Sequence, residues 1–359
     1  MKILVVDDSI VYRTAINQAL SEVPGYNVFK TCSNGKIAVD FLKQNPDTDL
    51  ITLDMEMPVM DGMETIKEIR KFNSKVVIIV FSAITTRGAE RTIDALSCGA
   101  DDFVTKIEGQ GTIESSIGMI RDELVPKIEA LKTKRTVTSV SPTTVSIAPT
   151  KPKGVPEASS TISEVMSTMN VKPKLVLIGC STGGPEALTK IFKGITERPS
   201  YPMLIVQHMP PLFTKKLAEM LDKVTPVDVR EAEGGEKLEN GVCYIAPGDY
   251  HMKLEKDLSL SLNQDEKVCF VRPAVDVLFQ SVSENYSNQV MSIILTGMGE
   301  DGANGCEALK EKQAYQFIQD EGSSVVWGMP GAVNKRDIGA KILNLEDFGP
   351  LLTEIAKRI

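Results

Sequence analysis

The segment Gly179–Pro185, with the sequence GCSTGGP, contains the residue best suited to nucleophilic chemistry. It follows an apolar run and fits the Gly-x-Ser-x-Gly pattern, which predicts a strand, a tight turn with Ser181 at its tip, and a helix. Backbone N–H groups at such a helix start can stabilise an oxyanion. A phosphate-binding glycine turn explains the turn alone equally well, although neither Gly-x-Gly-x-x-Gly nor a following Gly-Lys-Ser/Thr is present.

A serine nucleophile requires a base, and the chain contains only two histidines, His208 and His251. His208 ends an apolar strand candidate and is expected at the same sheet edge as Ser181, whereas His251 opens a later strand and is better explained as structural. Asp301 follows a third strand candidate, where its carboxylate can orient an imidazole and stabilise its charged form. The order Ser, His, Asp differs from that of lipase-like α/β-hydrolases and argues against an ordinary lipase.

A second group of polar residues comes directly after apolar runs in the first third of the chain: Asp7, Asp8, Asp54, Ser82 and Lys106. Any one of these acids could be an ordinary helix cap, but the carboxyl ends of parallel strands share one edge, where ligands bind. Three carboxylates there suit a hard divalent cation such as Mg²⁺. We expect Asp54 to attack a phosphoryl donor, Lys106 to pair with the acyl phosphate, and Ser82 to donate its hydroxyl to a phosphoryl oxygen.

The elements that must position these residues are short apolar runs alternating with amphipathic stretches. This pattern predicts the α/β class, with two doubly wound parallel-sheet domains. In the first domain the strand candidates are Ile3–Val6, Tyr26–Cys32, Leu50–Leu53, Val76–Phe81 and Asp102–Thr105. In the second they are Leu175–Gly179, Met203–Gln207, Val242–Ala246 and Met291–Leu295.

Between the two patterns, residues 133–161 contain no aromatic residue and no Leu, but many Ser, Thr, Pro and Lys. Such a composition cannot build a core and predicts a flexible linker, with room for a turn of helix at Ile162–Met169. We therefore expect a first domain at residues 1–131, a linker at 132–172 and a second domain at 173–359.

Composition limits the function classes. A chain of 359 residues suffices for two domains, and its net charge of -8 provides no basic footprint for nucleic acid or an anionic membrane. No signal peptide or spanning segment is evident, so we expect a cytoplasmic protein that does not insert into a membrane. The six scattered cysteines have neither metal-ligand nor disulfide-framework spacing.

The run Asp54–Gly62 (DMEMPVMDG), together with the Asp7-Asp8 pair, resembles the receiver domains of response regulators. The resemblance covers the first third of the chain and implies a flavodoxin-like domain of a two-component system. It also implies phosphorylation of the first residue of that run by a histidine kinase, with Mg²⁺ at the site. One departure is that Ile107 stands where receivers usually have Pro after the lysine.

The second domain resembles the catalytic domain of the chemotaxis protein-glutamate methylesterases, the CheB family. The matching motifs are Ser181–Gly184, Gln207–Pro210, Tyr244–Asp249, Arg272-Pro273, Val275–Phe279, Leu295–Gly299 and Asp301-Gly302. The resemblance implies that Ser181 is the nucleophile, His208 the general base and then acid, and Asp301 its orienting partner. It makes the backbone amides of Thr182 and Met298 candidates for the oxyanion hole, and it implies no cofactor for the hydrolase.

Together the two resemblances imply a phosphorylation-activated serine hydrolase that demethylates γ-glutamyl methyl esters on chemotaxis receptors and also deamidates receptor glutamines. In such proteins the unphosphorylated receiver packs over the catalytic site. Two alternatives belong to other classes: a non-catalytic adaptor that uses its receiver to dock on a kinase, and a general carboxylesterase. The complete Ser, His and Asp set argues against the first, and the receiver against the second.

Overall fold

The computed structural model describes residues 1–106, 113–137, 160–286 and 289–358. Contacts divide the chain into two compact units, Met1–Lys132 with Met209–Met220, and Thr133–His208 with Leu221–Ile359. Ile107 and most of the predicted linker lie outside the described residues. Within the described part of the chain, no helix has the length and apolar character needed to cross a membrane.

The first unit contains a parallel sheet of order β2-β1-β3-β4-β5, the doubly wound order expected of a flavodoxin-like domain. Its strands are β1 Lys2–Val6, β2 Asn27–Cys32, β3 Leu50–Asp54, β4 Val77–Ala83 and β5 Asp102–Lys106. All five predicted strands are thus confirmed, with small shifts at their ends. Its helices are α1 Ile10–Ser21, α2 Gly35–Gln44, α3 Gly62–Arg70, α4 Thr86–Ser97 and α5 Ile113–Val137.

The helices α1 and α3, which follow the sheet edge that carries the polar residues, both begin with side-chain caps. Ser9 caps α1 through its hydroxyl, which accepts from the Tyr12 amide, so the acidic pair occupies a very short loop between β1 and α1. Asp61 and Glu64 form a capping box at the start of α3. These local signals hold the loops after β1 and β3 short, which keeps their carboxylates at the ends of buried strands.

The second unit contains a seven-stranded parallel sheet of order β14-β13-β12-β6-β7-β9-β8, together with a separate antiparallel pair, β10-β11. The strands are β6 Leu175–Cys180, β7 Met203–Gln207, β8 Asp228–Glu231, β9 Val242–Ile245, β10 His251–Leu254, β11 Leu260–Asn263, β12 Val290–Ile294, β13 Tyr315–Gln319 and β14 Lys341–Leu343. The helices that follow α5 in the chain are α6 Ser160–Thr168, α7 Gly184–Gly194, α8 Phe213–Asp222, α9 Val275–Asn285, α10 Ala303–Glu311, α11 Met329–Lys335 and α12 Leu345–Lys357. All of these belong to the second unit except α8, most of which belongs to the first.

The order of this sheet reverses at its central strand. From β6 the chain proceeds through β7 toward one edge, and the later strands β12, β13 and β14 extend toward the other. Ligands in open α/β sheets bind outside the carboxyl ends of the strands at such a switch point. Ser181, the first residue after β6, therefore lies where this architecture forms sites.

Part of the segment predicted as linker is helical. Helix α5 extends to Val137, and α6 lies near the other end of the predicted linker. Ile162 and Val165 of α6 are buried, and Arg358, which follows α12, donates a 2.8 Å hydrogen bond to the Met169 carbonyl. The end of the expected linker thus packs on the second unit, because α6 has an apolar face that covers α12.

Candidate active site and phosphorylation site

The serine turn is fixed by main-chain hydrogen bonds and by close packing around Gly183. The Ser181 amide donates to the Thr296 carbonyl at 3.0 Å, and the Gly184 amide donates to the Ser181 carbonyl at 2.8 Å. Gly183 has a φ of 77°, and a Cβ there would lie 2.6 Å from the Cβ of Val325. Only glycine fits this position, so the sequence presents the serine in a single tight conformation before α7.

The neighbouring cysteine is not placed to compete with the serine. Cys180 ends β6 fully buried, with its Sγ 3.9 Å from the Val206 carbonyl oxygen. Burial raises the pKa of the Cys180 thiol well above its usual value. Because the thiolate is the reactive form, this side chain is an inert part of the core.

His208 and Asp301 form a close pair beside the serine turn. The register of β6 and β7 pairs Cys180 with Gln207, so Ser181 and His208 are the next residues on adjacent strands. The His208 Nε2 atom lies 2.7 Å from the Asp301 Oδ2 atom, and the Asp301 side chain is 3% exposed. The sequence-predicted nucleophile, base and acid therefore meet at one edge of the sheet.

The orientation of the imidazole assigns its two nitrogens. Because Nε2 faces the Asp301 carboxylate, it carries the proton of that hydrogen bond, which leaves Nδ1 as the basic nitrogen. This is the reverse of the arrangement in chymotrypsin-like enzymes. In this structure Ser181 and His208 are not hydrogen-bonded to each other through their side chains, and such contacts commonly tighten only when substrate binds.

Asp301 also accepts hydrogen bonds from the start of α9. Its Oδ2 atom accepts from the Val275 amide at 2.6 Å, and its Oδ1 atom from the Asp276 amide at 2.9 Å. The N-cap residue Ala274 has no side chain that could do this. The carboxylate is therefore fixed at a helix N-terminus by two main-chain hydrogen bonds.

Gln207 is a buried polar residue to which the sequence motifs assigned no role of its own. Its Nε2 atom donates to the Ser181 carbonyl at 3.0 Å and to the His208 carbonyl at 3.3 Å, and the residue is 2% exposed. A Cβ on Gly184 would lie 1.9 Å from the Gln207 Oε1 atom, so glycine there makes room for the amide. The available signal was a single amide at the end of an otherwise apolar strand.

Thr296 fixes the other side of the turn. Its hydroxyl donates to the Thr182 carbonyl at 2.9 Å and accepts from the Val326 amide at 2.9 Å. The next residue, Gly297, passes so close that a Cβ there would lie 3.0 Å from the Cβ of Ser181. Of the two oxyanion-hole candidates, Thr182 thus lies within the serine turn, and Met298 directly follows Gly297, which packs on that turn.

His251 has a structural role. It is 1% exposed, its Nδ1 accepts from the Ala274 amide at 3.2 Å, and its Nε2 lies 3.0 Å from the Glu266 carbonyl oxygen. Both ring nitrogens are therefore engaged by the main chain. The interpretation of His251 as structural is confirmed.

In the first unit, the predicted phosphorylation-site residues converge. The Lys106 Nζ atom lies 2.8 Å from Asp54 Oδ2 and 3.1 Å from Asp7 Oδ2. Burial raises the pKa values of Asp7 and Asp54 above the ordinary aspartate value, although Lys106 opposes this. Burial alone would lower the pKa of Lys106, but Asp54 and Asp7 together outweigh burial and raise it.

The same carboxylates have the donor chemistry of a divalent-cation site. Oxygen atoms of Asp7, Asp8 and Asp54 all lie within 4.8 Å of one another. The Asp7 Oδ2 atom is buried without a hydrogen bond of good geometry, despite the nearby Lys106. Anionic oxygens, one of them lacking such a bond, suit Mg²⁺, so these residues fit the metal that a receiver domain implies.

Ser82 and two residues not anticipated from the sequence complete this site. The buried Ser82 hydroxyl donates to the Gly88 carbonyl at 3.0 Å, so it must rotate to reach a phosphoryl oxygen. The Tyr12 ring lies beneath Lys106, with its centroid 4.8 Å from Nζ. The Arg13 guanidinium donates to the Asp7 and Asp8 carbonyls, which fixes the acidic loop.

A further acidic cluster, Cys269, Asp276 and Asp301, does not fit a metal. Asp301 already accepts two main-chain amides, and Asp276 accepts from the amides of Gly302 and Gly305 and from the Asn304 side chain. These carboxylates act as hydrogen-bond acceptors that organise the loop carrying Asp301.

Comparison with known proteins agrees with this division. The CheB methylesterase family model matches residues 176–352, and the response regulator receiver domain model matches residues 3–117. A protein-glutamate methylesterase/protein-glutamine glutaminase of Trichodesmium erythraeum is 40% identical, covering 100% of this chain and 99% of its own length. One from a Nocardioides species is 40% identical, covering 100% of this chain and 95% of its own.

Among solved structures, the Thermotoga maritima CheB methylesterase catalytic domain is 38% identical, covers 52% of this chain and 100% of its own, and has a TM-score of 0.49. The full-length sequence relatives establish the family without it. The chain belongs to the protein-glutamate methylesterase/protein-glutamine glutaminase family, with a receiver domain ahead of a CheB methylesterase domain.

Proposed function

We propose that this protein is a phosphorylation-activated serine hydrolase that demethylates glutamyl methyl esters, and deamidates glutamines, on chemotaxis receptors. The observation that carries the proposal is the 2.7 Å contact between His208 and Asp301 at the strand edge that also holds Ser181. A close imidazole–carboxylate pair beside a serine on a glycine turn suits acyl transfer, whereas an adaptor has no need of it.

The mechanism begins when the Ser181 hydroxyl attacks the γ-carbonyl of the substrate glutamyl ester, while His208 Nδ1 takes the hydroxyl proton. Asp301 stabilises the resulting imidazolium through Nε2. Amides at Thr182 and Met298 are the candidates to stabilise the oxyanion. His208 then returns the proton to the departing methoxide, which releases methanol and leaves a γ-glutamyl ester on Ser181.

Water completes the reaction. His208 takes a proton from the attacking water, the acyl bond to Ser181 breaks, and the same proton restores the serine hydroxyl. The products are the receptor glutamate and free enzyme. With a glutamine substrate, ammonia leaves in place of methanol and the remaining steps are unchanged.

The first unit supplies the control. Asp54 is the proposed phosphoryl acceptor from a histidine kinase, with Lys106 pairing with the new phosphoryl group and Ser82 donating a hydroxyl to it. Asp7, Asp8 and Asp54 would hold Mg²⁺, which when bound neutralises charge on the transferred oxygens. Phosphorylation biases an equilibrium between a closed and an open arrangement of the two domains.

This assignment divides the chain into a receiver domain at 1–131, a linker at 132–172 and a catalytic domain at 173–359, in a cytoplasmic protein that meets the cytoplasmic parts of its receptors. The burial of Ile162 and Val165 in α6 supports extending the catalytic domain to include 160–172.

The test is methanol release from membranes containing methylated receptors, measured with and without a small acyl phosphate as phosphodonor. Wild-type protein should release methanol, and the phosphodonor should increase the rate. The Ser181→Ala variant is the matched control for hydrolysis. Equal, background-level release by the wild type and Ser181→Ala would refute the proposed function and favour the adaptor alternative.

A further inference from the structure

A groove opens beside the serine turn. Its lining residues follow β12 and β13, which lie on the opposite side of β6 from β7 and His208. Six of its lining residues are Gly299, Glu300, Trp327, Gly328, Lys335 and Arg336, and its volume is about 510 Å³. We call it the Trp327 groove. Its size lies within the range of sites that bind a few side chains of a ligand.

Gly297 links the floor of the groove to the candidate nucleophile. The Gly328 and Met329 amides both donate to the Gly297 carbonyl, at 3.1 Å and 2.9 Å. Gly297 also approaches Ser181 so closely that a Cβ would lie 3.0 Å from the serine Cβ. The groove is therefore next to the candidate nucleophile, within reach of a substrate whose ester lies at Ser181.

The apolar wall of the groove is rigid. The Trp327 indole Nε1 donates to the Gln319 carbonyl at 3.0 Å, which fixes the ring plane. A Cβ on Gly331 would lie 3.1 Å from Trp327 Cε3, so the helix α11 packs tightly under the ring. Trp327 is half-buried and lines the groove, so an aliphatic side chain could pack on the exposed part of a ring that is already ordered.

The charges of the rim are arranged in order along the groove. Glu300 is next to Asp301 at the catalytic end, and Lys335 ends α11, about 9 Å along the helix from Met329. Arg336 is already engaged by Glu307 and Asn304, both at 2.8 Å. Lys335 is exposed, and in the described parts of the chain nothing forms an ion pair with its ammonium.

We propose that the Trp327 groove is the subsite for the substrate segment that flanks the glutamyl ester, and that Lys335 pairs with a carboxylate on that segment. This inference rests on the proposed function and specifies its substrate class: an acidic polypeptide that carries a carboxylate in the segment flanking the ester residue. Glu300 repels anions at the catalytic end, where the ester itself is neutral.

A purely structural explanation of Lys335 exists, because a cation near a helix C-terminus complements the helix dipole. The two explanations differ in their dependence on substrate length. A structural role would affect hydrolysis of every substrate alike. A flanking subsite affects only substrates long enough to reach it.

The experiment uses the full chain as wild type, Lys335→Gln and Lys335→Glu, with Lys256→Gln as a matched control. Lys256 is also exposed, but it lies in the turn of the β10-β11 pair. Methanol release is measured from methylated receptor membranes and from a single-residue glutamate γ-methyl ester. The small ester does not extend to Lys335 and provides the reference rate for each variant.

Relative to that reference, KM for the receptor should rise roughly two- to fivefold in Lys335→Gln, the range expected for one exposed ion pair. It should rise further in Lys335→Glu, and added salt should narrow the difference between wild type and Lys335→Gln. Lys256→Gln should match the wild type.

The inference is overturned if both Lys335 variants keep the wild-type KM for the receptor, or if they change receptor and small ester by the same factor. A wild type that releases methanol from neither substrate refutes the proposed function instead. The two failures are therefore distinguishable in one set of assays.

Discussion

Asp276 and Asp301 cap each other's helices. Asp301, which precedes α10, accepts the first two amides of α9, and Asp276, within α9, accepts the amides of Gly302 and Gly305 at the start of α10. Neither helix has an N-cap side chain of its own, since those positions are Ala274 and Gly302. The acid that orients His208 is thus held by a reciprocal pair of caps.

The pair is electrostatically costly, because two carboxylates lie close together in a buried setting. Burial, with the Asp301 charge adding to it, raises the pKa of Asp276 above the ordinary aspartate value. The main-chain amides and the Asn304 side chain oppose this shift. We therefore expect Asp276 to influence activity only through the placement of Asp301.

We predict that Asp276→Ala lowers stability by about 1–3 kcal/mol, because it leaves buried amides of α10 without an acceptor. It should also lower kcat, since the loop that carries Asp301 loses its anchor. Asp276→Asn keeps an acceptor oxygen and should recover most of both. Urea unfolding and methanol release measure the two effects, with the exposed Asp257→Ala as control. Unchanged stability and kcat in Asp276→Ala would show that the reciprocal caps are dispensable.

The proposed catalytic residues should differ in severity. Ser181→Ala removes the attacking oxygen and should lower kcat by about 10³-fold or more, with His208→Ala similar. Asp301→Asn should leave more activity than Ser181→Ala, because the imidazole can still act as a base without its partner's charge. Cys180→Ala is the control and should remain active. Full activity in Ser181→Ala combined with loss in Cys180→Ala would reassign the nucleophile.

Gln207 should prove to be a second positioning residue. Gln207→Met preserves approximate side-chain volume but removes the hydrogen bonds to the Ser181 and His208 carbonyls, so we expect kcat to fall about tenfold with little change in KM. Gln280→Met, on an exposed face of α9, is the matched control. Steady-state kinetics on the small ester separate the two constants. A rise in KM alone would mean that Gln207 contacts substrate rather than holding the turn.

Sequence patterns predicted the residues at the ends of strongly apolar strands and missed those that act through tertiary pairing. Ser181, His208 and Asp301 each follow a strand with a nearly continuous apolar run, so their common edge could be inferred. Gln207 could not be singled out as a support of the serine turn, because Ser181 is 26 residues away in the chain, and Asp276 could not because Asp301 is 25 residues away. No local pattern marks such a pairing.

The strands of the second sheet that were missed are of two kinds. The edge strands β8, with the sequence DVRE, and β14, with only three residues, are short or strongly charged, as edge strands often are. Strand β13, YQFIQ, has buried glutamines that are paired by the surrounding structure, for example Gln319 with the Thr296 amide. Burial of these amides depends on partners that sequence patterns do not reveal.

As pH falls, phosphorylation of the first unit should be lost at a higher pH than aspartates with ordinary pKa values would predict. Because burial raises the pKa values of Asp7 and Asp54, their charged forms are lost as pH falls through values above the usual value of about 3.9. Both Mg²⁺ binding and nucleophilic attack need the charged forms. Lys106→Met removes the cation that opposes this shift, so the midpoint should move to still higher pH.

The measurements are calorimetric Mg²⁺ titration and labelling by a small acyl phosphate across a pH series. Asp54→Asn should abolish labelling, and chelation of Mg²⁺ should do the same in the wild type. Labelling that survives both treatments, or a midpoint that moves to lower pH in Lys106→Met, would contradict the proposed phosphorylation site.

The last prediction concerns the boundary of the catalytic domain and its control by the receiver. A fragment beginning at residue 157 retains α6, whereas one beginning at 172 removes the buried Ile162, Val165 and Met169. Each such side chain contributes about 1.5–3 kcal/mol when fully buried, so the longer fragment should be clearly more stable in urea. Both keep Ser181, His208 and Asp301 and should hydrolyse the small ester.

If the unphosphorylated receiver restrains the catalytic domain by covering its site, the longer fragment should release methanol faster than the intact unphosphorylated chain. Phosphorylating the intact chain should change the rate in the same direction, because both treatments depopulate the closed arrangement. Initial rates on methylated receptor and on the small ester, at equal enzyme concentration, provide the comparison. A receiver that covers the site would slow hydrolysis of both substrates. A fragment no faster than the intact chain on the small ester would exclude occlusion. A fragment that is slower than the intact chain only on methylated receptor would instead assign the receiver to substrate recruitment.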